Sequence, residues 1–283
     1  MDKANITETN TVSVPSTDIV PERDIDTSSV LEVRNLGINF GGLMAVSGLD
    51  MTIGRMEIVG LIGPNGAGKT TCFNLLTKVY QPTEGTILLN GRDTHNMTTV
   101  QINRAGIART FQNIRLFSNL TVEDNVKLGM HNHINYGMWS GILRLPGYWK
   151  GEKLAHEKAM ELLSIFDMES LADKQAGSLP YGAQRRLEIV RALATQPSLL
   201  LLDEPAAGMN PSETAELMEN IVKIRDTFKI SILLIEHDMN LVMGICERIS
   251  VLNFGKVIAT GTPSEIRNNP QVIEAYLGKK REG

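Results

Sequence analysis

The fold of this chain is decided by the stretch Gly63-Pro64-Asn65-Gly66-Ala67-Gly68-Lys69-Thr70-Thr71. This stretch fits the phosphate-binding pattern G-x-x-x-x-G-K-[ST] without a mismatch. Before it, EIVGLI at 57–62 predicts a short buried strand, and after it, TCFNLL at 71–76 predicts an amphipathic helix. Because a strand, a glycine-rich loop and a helix follow one another in the required order, the sequence predicts a P-loop.

The residue types in this loop suit a nucleotide and a magnesium ion. Glycine has no Cβ, so successive backbone N–H groups can converge on phosphate oxygens at the start of a helix. Lys69 is expected to reach the β- and γ-phosphates, and the Thr70 hydroxyl to bind Mg²⁺. The alternative, a glycine-rich turn without a ligand, is disfavoured by the complete pattern and both flanks. The predicted nucleotide contacts of the loop are Gly63, Pro64, Asn65, Gly66, Ala67, Gly68, Lys69, Thr70 and Thr71.

Composition narrows the class of protein. The chain has 283 residues, 42% hydrophobic and 21% charged, which is typical of one soluble α/β unit. Its net charge of −4 gives no reason to expect nucleic acid or anionic lipid as a partner. Cys72 and Cys246 are too few for a disulfide framework and are expected in the core. Neither a transmembrane run nor a secretory signal is recognised, so a soluble, non-secreted protein is expected.

The strand and helix patterns predict an α/β fold with a mainly parallel core sheet, an antiparallel β subdomain and an inserted helical subdomain. Residues 1–29 have few apolar groups and are expected to form a flexible tail. Residues 30–122 are the first part of the core with the β subdomain, and 123–178 the helical insert. Residues 179–260 complete the core, and 261–283 form a C-terminal segment.

Two predicted strands end in polar side chains. Four leucines at 199–202 run into Asp203 and Glu204, and ILLI at 232–235 runs through one further acid to His237. Because the carboxyl ends of parallel strands share one ligand-binding edge, Asp203 can hold Mg²⁺ and Glu204 can activate a water. His237 would then sense the γ-phosphate. A solvated acidic turn and a structural histidine are the less specific alternatives.

Two further residues stand at the ends of predicted strands. Gln112 lies at the end of a strand predicted at 106–112. Phe40 precedes the glycine pair at 41–42, where its ring can be presented to a nucleobase. A lone Phe is otherwise more often a core residue.

Together these motifs resemble an ATP-binding cassette (ABC) ATPase over residues from about 30 to 278. The family resemblance implies that ATP and Mg²⁺ are bound and that ATP is hydrolysed. It also implies the following roles: Phe40 stacks on adenine, Gln112 is the Q-loop glutamine that takes part in catalysis and contacts Mg²⁺, Asp203 is the Walker B aspartate that binds Mg²⁺, Glu204 is the general base, and His237 is the switch histidine.

LPYGAQRR at 179–186 stands where the family commonly has LSGGQ. Tyr181 and Gly182 stand at the positions of the two glycines, so one glycine remains, and both residues are expected to contact the nucleotide held by a partner cassette. Pro180 replaces the serine and has neither a hydroxyl nor an N–H to donate. The contact is therefore expected to come from backbone N–H groups at the start of the following helix.

LPYGAQRRLEIVRALA, EPAAGMNP and LLIEHDM are similar to the ATPases of branched-chain (hydrophobic) amino acid importers, and so is the ending from Gly261 onward. The insert, with WSGIL at 139–143, resembles that of the LivG-like subunit. The urea importer ATPase and the lipopolysaccharide exporter ATPase are the nearest alternatives. A soluble ABC ATPase acting on ribosomes, DNA or iron–sulfur assembly is disfavoured by the single P-loop, the acidic balance and the lack of sustained heptads.

The resemblance also implies partners. A second ABC ATPase subunit, identical or a sister chain, would complete the site, and two transmembrane permeases would carry the substrate, with a substrate-binding protein acting indirectly. The expected location is peripheral, at the cytoplasmic face of the plasma membrane, held only through the permeases. Both tryptophans, Trp139 and Trp149, lie in the aromatic segment 131–150, which is either a self-packed loop or a surface facing a partner.

Overall fold

The computed structural model describes residues 11–14, 16–17, 19–20, 23–132 and 146–277. The described strands are β1 (Thr11–Val14), β2 (Arg23–Phe40), β3 (Leu43–Arg55), β4 (Ile58–Ile62), β5 (Glu84–Leu89), β6 (Arg92–Asp93), β7 (Ile107–Arg109), β8 (Leu199–Asp203), β9 (Ser231–Ile235), β10 (Arg248–Asn253) and β11 (Lys256–Gly261). The described α-helices are α1 (Lys69–Leu76), α2 (Thr99–Arg104), α3 (Val122–Gly129), α4 (Pro146–Leu163), α5 (Tyr181–Leu193), α6 (Pro211–Phe228), α7 (Met239–Ile245), α8 (Pro263–Arg267) and α9 (Pro270–Leu277).

The larger sheet positions the site. Its strand order is β11-β10-β4-β9-β8-β7, and all neighbours are parallel except β10 and β11. Each residue of β4, β8 and β9 is buried, because such a sheet is covered on both faces. In β8, Leu199 and Leu201 join one core cluster while Leu200 and Leu202 join the other. The expected mainly parallel core sheet is confirmed.

The smaller sheet is antiparallel. Strands β2 and β3 form a hairpin around Gly41 and Gly42, both with a positive φ, and β5 pairs with the other side of β2. Alternate residues of the hairpin, such as Val33 and Ile53, are buried against the larger sheet. This is the antiparallel β subdomain expected from the sequence.

The described part of the segment 1–29, for which a flexible tail was predicted, contains regular structure. Residues 11–14 form β1, which pairs with β2, and β2 begins at Arg23 rather than Val30. Val20 is buried, and the Thr17 hydroxyl donates to the Gly244 carbonyl at 2.6 Å. The partly buried Ile19 packs against the same core, and its N–H donates to the Gly244 carbonyl at 3.3 Å, so apolar and polar contacts together hold this part of the segment against α7.

The helical subdomain contains α3, α4 and short 3₁₀ turns at Met130–Asn132, Ser164–Phe166, Glu169–Leu171 and Ala176–Ser178. Its main packing contact with the core is α3 against α5. Within the aromatic segment 131–150, residues 133–145 with Trp139 lie outside the described residues, and Trp149 is an exposed residue of α4. None of the helices in the described ranges is both long and apolar enough to cross a bilayer.

Both cysteines are buried and free, as expected. Burial raises the pKa of the Cys72 thiol to about 12. The thiol therefore stays protonated and behaves as a small apolar side chain in the helix that follows the P-loop.

Candidate active site

The loop between β4 and α1 has the shape that the motif predicts. Helix α1 begins at Lys69, directly after Gly68, which is left-handed with a φ of 105°. A Cβ at Gly68 would lie 2.8 Å from the Ala45 carbonyl oxygen, and one at Gly63 only 2.0 Å from that of Leu252. Any larger residue would therefore displace the loop, whose N–H groups gather at a helix N-terminus suited to phosphate.

Lys69 lies folded over its own loop. Its Nζ donates to the carbonyl of Gly63 at 2.7 Å and to that of Pro64 at 3.1 Å. Burial lowers the pKa of Lys69, and the nearby charges of Glu204 and Asp203 partly offset this effect. The ammonium group thus has only neutral direct partners, which the oxygens of a phosphate can replace.

Replacing Lys69 by alanine is expected to weaken ATP binding about 10- to 100-fold, since a charge-assisted hydrogen bond contributes about 1.5–3 kcal/mol. Isothermal titration calorimetry of the full chain measures the affinity. Lys78→Ala is the matched control, because Lys78 is a second buried lysine just beyond α1 and its pKa is also lowered by burial. Equal loss of affinity in both variants would contradict a phosphate contact at Lys69.

The Walker-type aspartate is held by a residue that sequence reasoning missed. Asp203 ends β8, and its Oδ2 accepts a hydrogen bond from Arg109 Nη2 at 2.7 Å in a buried ion pair. Arg109 Nη1 also donates to Asn74 Oδ1 of α1 at 2.7 Å. The sequence did contain a signal, since Arg109 lies in a predicted strand. A buried guanidinium is costly without an acidic partner, so its position indicated a buried acid nearby.

Glu204, Gln112 and His237 meet at the carboxyl edge of the sheet. The Glu204 Oε1 atom lies 3.0 Å from His237 Nε2, and its Oε2 accepts from Gln112 Nε2 at 3.0 Å. Glu204 has a φ of 50°, the left-handed region that is strained for a residue with a Cβ. Two residues from different segments, Gln112 and His237, are therefore directed at the Glu204 carboxylate.

The residues near the P-loop fit a magnesium ion shared with a nucleotide. In the described parts of the chain, no group of three His, Cys, Asp or Glu side chains is placed to hold a metal alone. A hydroxyl at Thr70, a carboxylate at Asp203 and an amide at Gln112 are hard oxygen donors. Mg²⁺ sites of this kind typically take only a few ligands from the protein, and water and phosphate oxygens supply the others.

Phe40 is 43% exposed at the end of β2 and contacts a second ring. The centroids of Phe40 and Tyr80 lie 5.2 Å apart in an edge-to-face arrangement. Tyr80 lies in the turn that follows α1, the helix that begins at the P-loop lysine. The sequence indicated Phe40 but not Tyr80, which only the fold brings beside it.

A sequence model of the ABC transporter family matches residues 46–207, that is 162 of 283 residues, from the β subdomain through Glu204. The chain belongs to the ABC transporter ATP-binding family. A second model, described as a branched-chain amino acid ATP-binding cassette transporter, matches residues 256–282 of this ABC ATPase.

The relatives of this ABC ATPase cover most of its length. The high-affinity branched-chain amino acid transport ATP-binding protein LivG of Salmonella typhimurium is 50% identical over 250 residues, 88% of this chain and 98% of LivG. The lipopolysaccharide export system ATP-binding protein LptB of Haemophilus influenzae is 32% identical over 252 residues, 89% of this chain and 98% of LptB. The crystal structure of MJ1267 in its ADP conformation, an ATP-binding cassette of an ABC transporter, matches with a TM-score of 0.77 and 28% identity, over 89% of this chain and 100% of MJ1267.

The signature residues of this ABC ATPase lie at the start of α5. Pro180 is the N-cap and makes no side-chain cap hydrogen bond. Tyr181 packs against Gly208, where an added Cβ would lie 3.2 Å from the tyrosine ring, and Gly182 faces Glu213. The first helical N–H groups begin at Tyr181, where the sequence predicts a backbone contact with phosphate.

Arg185 connects the signature helix to the Q-loop. Its guanidinium donates to the carbonyls of Phe111 and Gln112 and forms a buried ion pair with Glu188 at 3.1 Å. Glu188 in turn accepts from the Phe111 N–H at 3.3 Å. Sequence reasoning did not single out either residue, although charges on the buried face of a helix were a visible signal.

Proposed function

We propose that this chain is the ATP-hydrolysing motor subunit of a membrane importer for branched-chain amino acids. The observation that carries the catalytic part is that Gln112 and His237 both contact the Glu204 carboxylate. Only the tertiary fold brings these residues together.

Each residue has a task in the hydrolysis. The P-loop N–H groups and Lys69 bind the phosphates, and Phe40 supports the base of the nucleotide. Glu204 takes a proton from the attacking water, while Gln112 and His237 hold its carboxylate in place. Bound Mg²⁺, held by Thr70 and Asp203 with Gln112, would neutralise charge on the phosphate oxygens.

The site is completed by a second cassette. The N-terminus of α5, with Tyr181 and Gly182, presents N–H groups that no cap side chain occupies. Such a terminus suits the phosphate held by the partner's P-loop. The partner is an identical chain or a sister ATPase, and closure of the pair on ATP transmits movement to the permeases.

A groove beside the Q-loop is suited to a permease segment. It is lined by Phe111, Arg115, Phe117, Leu128 and Arg191, among others. Phe117 is 55% exposed and Leu128 45%, while the Arg115 guanidinium lies 4.2 Å from the centre of the Phe111 ring. Exposed aromatic and arginine side chains of this kind are enriched at interfaces. Binding here would move the segment that carries Gln112 and would attach the chain to the cytoplasmic face of the membrane.

The substrate class rests on relatives. LivG is 50% identical to this chain, and the C-terminal match at 256–282 belongs to a branched-chain amino acid transporter family. LptB, at 32% identity, supports lipopolysaccharide export as the second candidate. A substrate-binding protein is a further partner of an importer.

Reconstitution tests this function. The chain is purified with the permeases from its own operon, and ATP-dependent uptake of labelled leucine is measured in proteoliposomes with the binding protein added. Leucine uptake is expected. In a separate binding measurement, the variant Phe117→Ser is expected to bind the permeases at least about tenfold more weakly, with unchanged ATP binding. Leu154→Ser is the control, since Leu154 is similarly exposed on α4 outside the groove. ATP-driven lipid release without leucine uptake would support export instead.

A further inference from the structure

Glu236 is a buried carboxylate that none of the roles above uses. It lies between β9 and His237 and is only 4% exposed. Burial raises the pKa of its carboxyl, and hydrogen bonds from backbone N–H groups partly offset the rise. A buried acid of this kind is costly unless its oxygens are satisfied, so its partners indicate what it holds.

Its partners belong to two different loops. Oε1 accepts a hydrogen bond from the N–H of Ala206 at 2.8 Å, in the loop after β8. Oε2 accepts from the N–H of His237 at 2.9 Å and more weakly from Asp238 at 3.4 Å. One side chain therefore spans the gap between the loops that carry the proposed base and the proposed switch histidine.

This span continues the pairing of β8 and β9 beyond their ends. The last register pair is Asp203 with Ile235, and the Glu204 N–H still donates to the Ile235 carbonyl at 2.9 Å. Beyond this pair the two segments separate. There the Glu236 carboxylate, rather than a backbone carbonyl, accepts the hydrogen bond from the Ala206 N–H.

We propose that Glu236 is a positioning residue for ATP hydrolysis, and that its carboxylate secures the 205–209 loop to the His237 backbone and so sets the His237 imidazole against Glu204. The contact it sets is the 3.0 Å approach of His237 Nε2 to Glu204 Oε1. The Glu236 carboxylate accepts hydrogen bonds from the backbone N–H groups of Ala206, His237 and Asp238, so it acts on this pair of side chains through the backbone. The proposal rests on the proposed function, because it assumes that Glu204 and His237 perform the hydrolysis.

The principal test is Glu236→Gln in the assembled transporter. The amide keeps one acceptor oxygen but turns an NH₂ group toward one set of N–H donors, so one loop must lose its partner. The kcat for ATP is expected to fall about tenfold or more, with KM changed by less than about threefold, because misplacing the histidine affects hydrolysis more than binding. Glu213→Gln is the matched control, since Glu213 accepts from the Asn210 N–H at the far end of the same loop and glutamine also caps there.

A spectroscopic readout separates positioning from simple stability. In the full chain labelled with ¹⁵N-histidine, the Nε2 signal of His237 is expected to shift in Glu236→Gln toward the position it takes in Glu204→Gln, where the carboxylate partner is removed. The signal is expected to stay at its wild-type position in Glu213→Gln. An unchanged His237 signal together with wild-type kcat in Glu236→Gln would overturn the proposal.

A second change avoids the buried side chain altogether. Replacing the Ala206 N–H by an ester oxygen, through incorporation of lactic acid, removes one donor to Glu236 and leaves every side chain intact. The kcat is expected to fall in the same direction, with the same shift of the His237 signal. A wild-type result here, in a folded chain, would overturn the proposal even if Glu236→Gln does not fold. If Glu204→Gln itself keeps wild-type turnover, the proposed function fails instead.

Discussion

Replacing Glu204 by glutamine is expected to lower ATP turnover by roughly 10²–10⁴-fold while ATP affinity stays near that of the wild type. The reason is that an amide cannot take the proton of the attacking water. Glutamine has nearly the same shape, and its oxygen can still accept from Gln112, which now contacts the carboxylate at 3.0 Å. The change therefore removes the base and leaves the phosphate contacts of the P-loop in place.

Steady-state phosphate release and equilibrium ATP binding, measured on the same preparation, test this expectation. Glu216→Gln serves as the control, since Glu216 is half-exposed on α6 and forms a surface ion pair with Arg186. Turnover in Glu204→Gln within about threefold of the control, a difference of less than 1 kcal/mol, would remove Glu204 from the role of base.

Replacing Glu247 by alanine is expected to lower the free energy of unfolding by about 3–5 kcal/mol. Glu247 is buried at the opposite end of the larger sheet from the catalytic edge, just before β10. Its carboxylate pairs with Arg23 at 2.5 Å and with Arg225 at 3.3 Å, and it accepts from the Ile58 N–H at 2.9 Å. Alanine would leave the buried Arg225 guanidinium without this counter-charge, and removal of one partner from a buried pair is strongly destabilising.

Urea unfolding followed by circular dichroism measures this loss. Glu216→Ala is the control, because its surface pair with Arg186 contributes less than about 1 kcal/mol. ATP affinity of the folded Glu247→Ala chain is expected to match the wild type, since the residue lies away from the P-loop. A loss of stability no larger than that of Glu216→Ala would show that the buried pairs contribute little.

Glu247 also makes a contact with the N-terminal segment that the sequence did not indicate. Arg23 pairs with Glu247, 224 positions further along the chain, and also donates to the Met56 carbonyl. A composition argument considers only neighbours in sequence, and residues 1–29 have few apolar ones. Contacts made across the fold were therefore invisible to it.

The sequence alone determined the phosphate-binding loop, the buried strands β4, β8 and β9, and the polar residues that end them. These features are local: a glycine requirement set by φ and by the lack of a Cβ, a run of leucines, and an acid at a strand terminus. Local patterns of this kind also indicated Gln112 and Phe40, because each stands at the end of a predicted strand.

Only the tertiary structure decided which groups meet. The pairing of Arg109 with Asp203, the edge contact of Tyr80 with Phe40, and the span of Glu236 between two loops all join residues distant in the chain. The physical reason is that a buried charge or polar group takes its partner from whatever the packed fold brings within hydrogen-bond distance. The strand order that places β9 between β4 and β8 creates those distances, and no local pattern in the sequence specifies it.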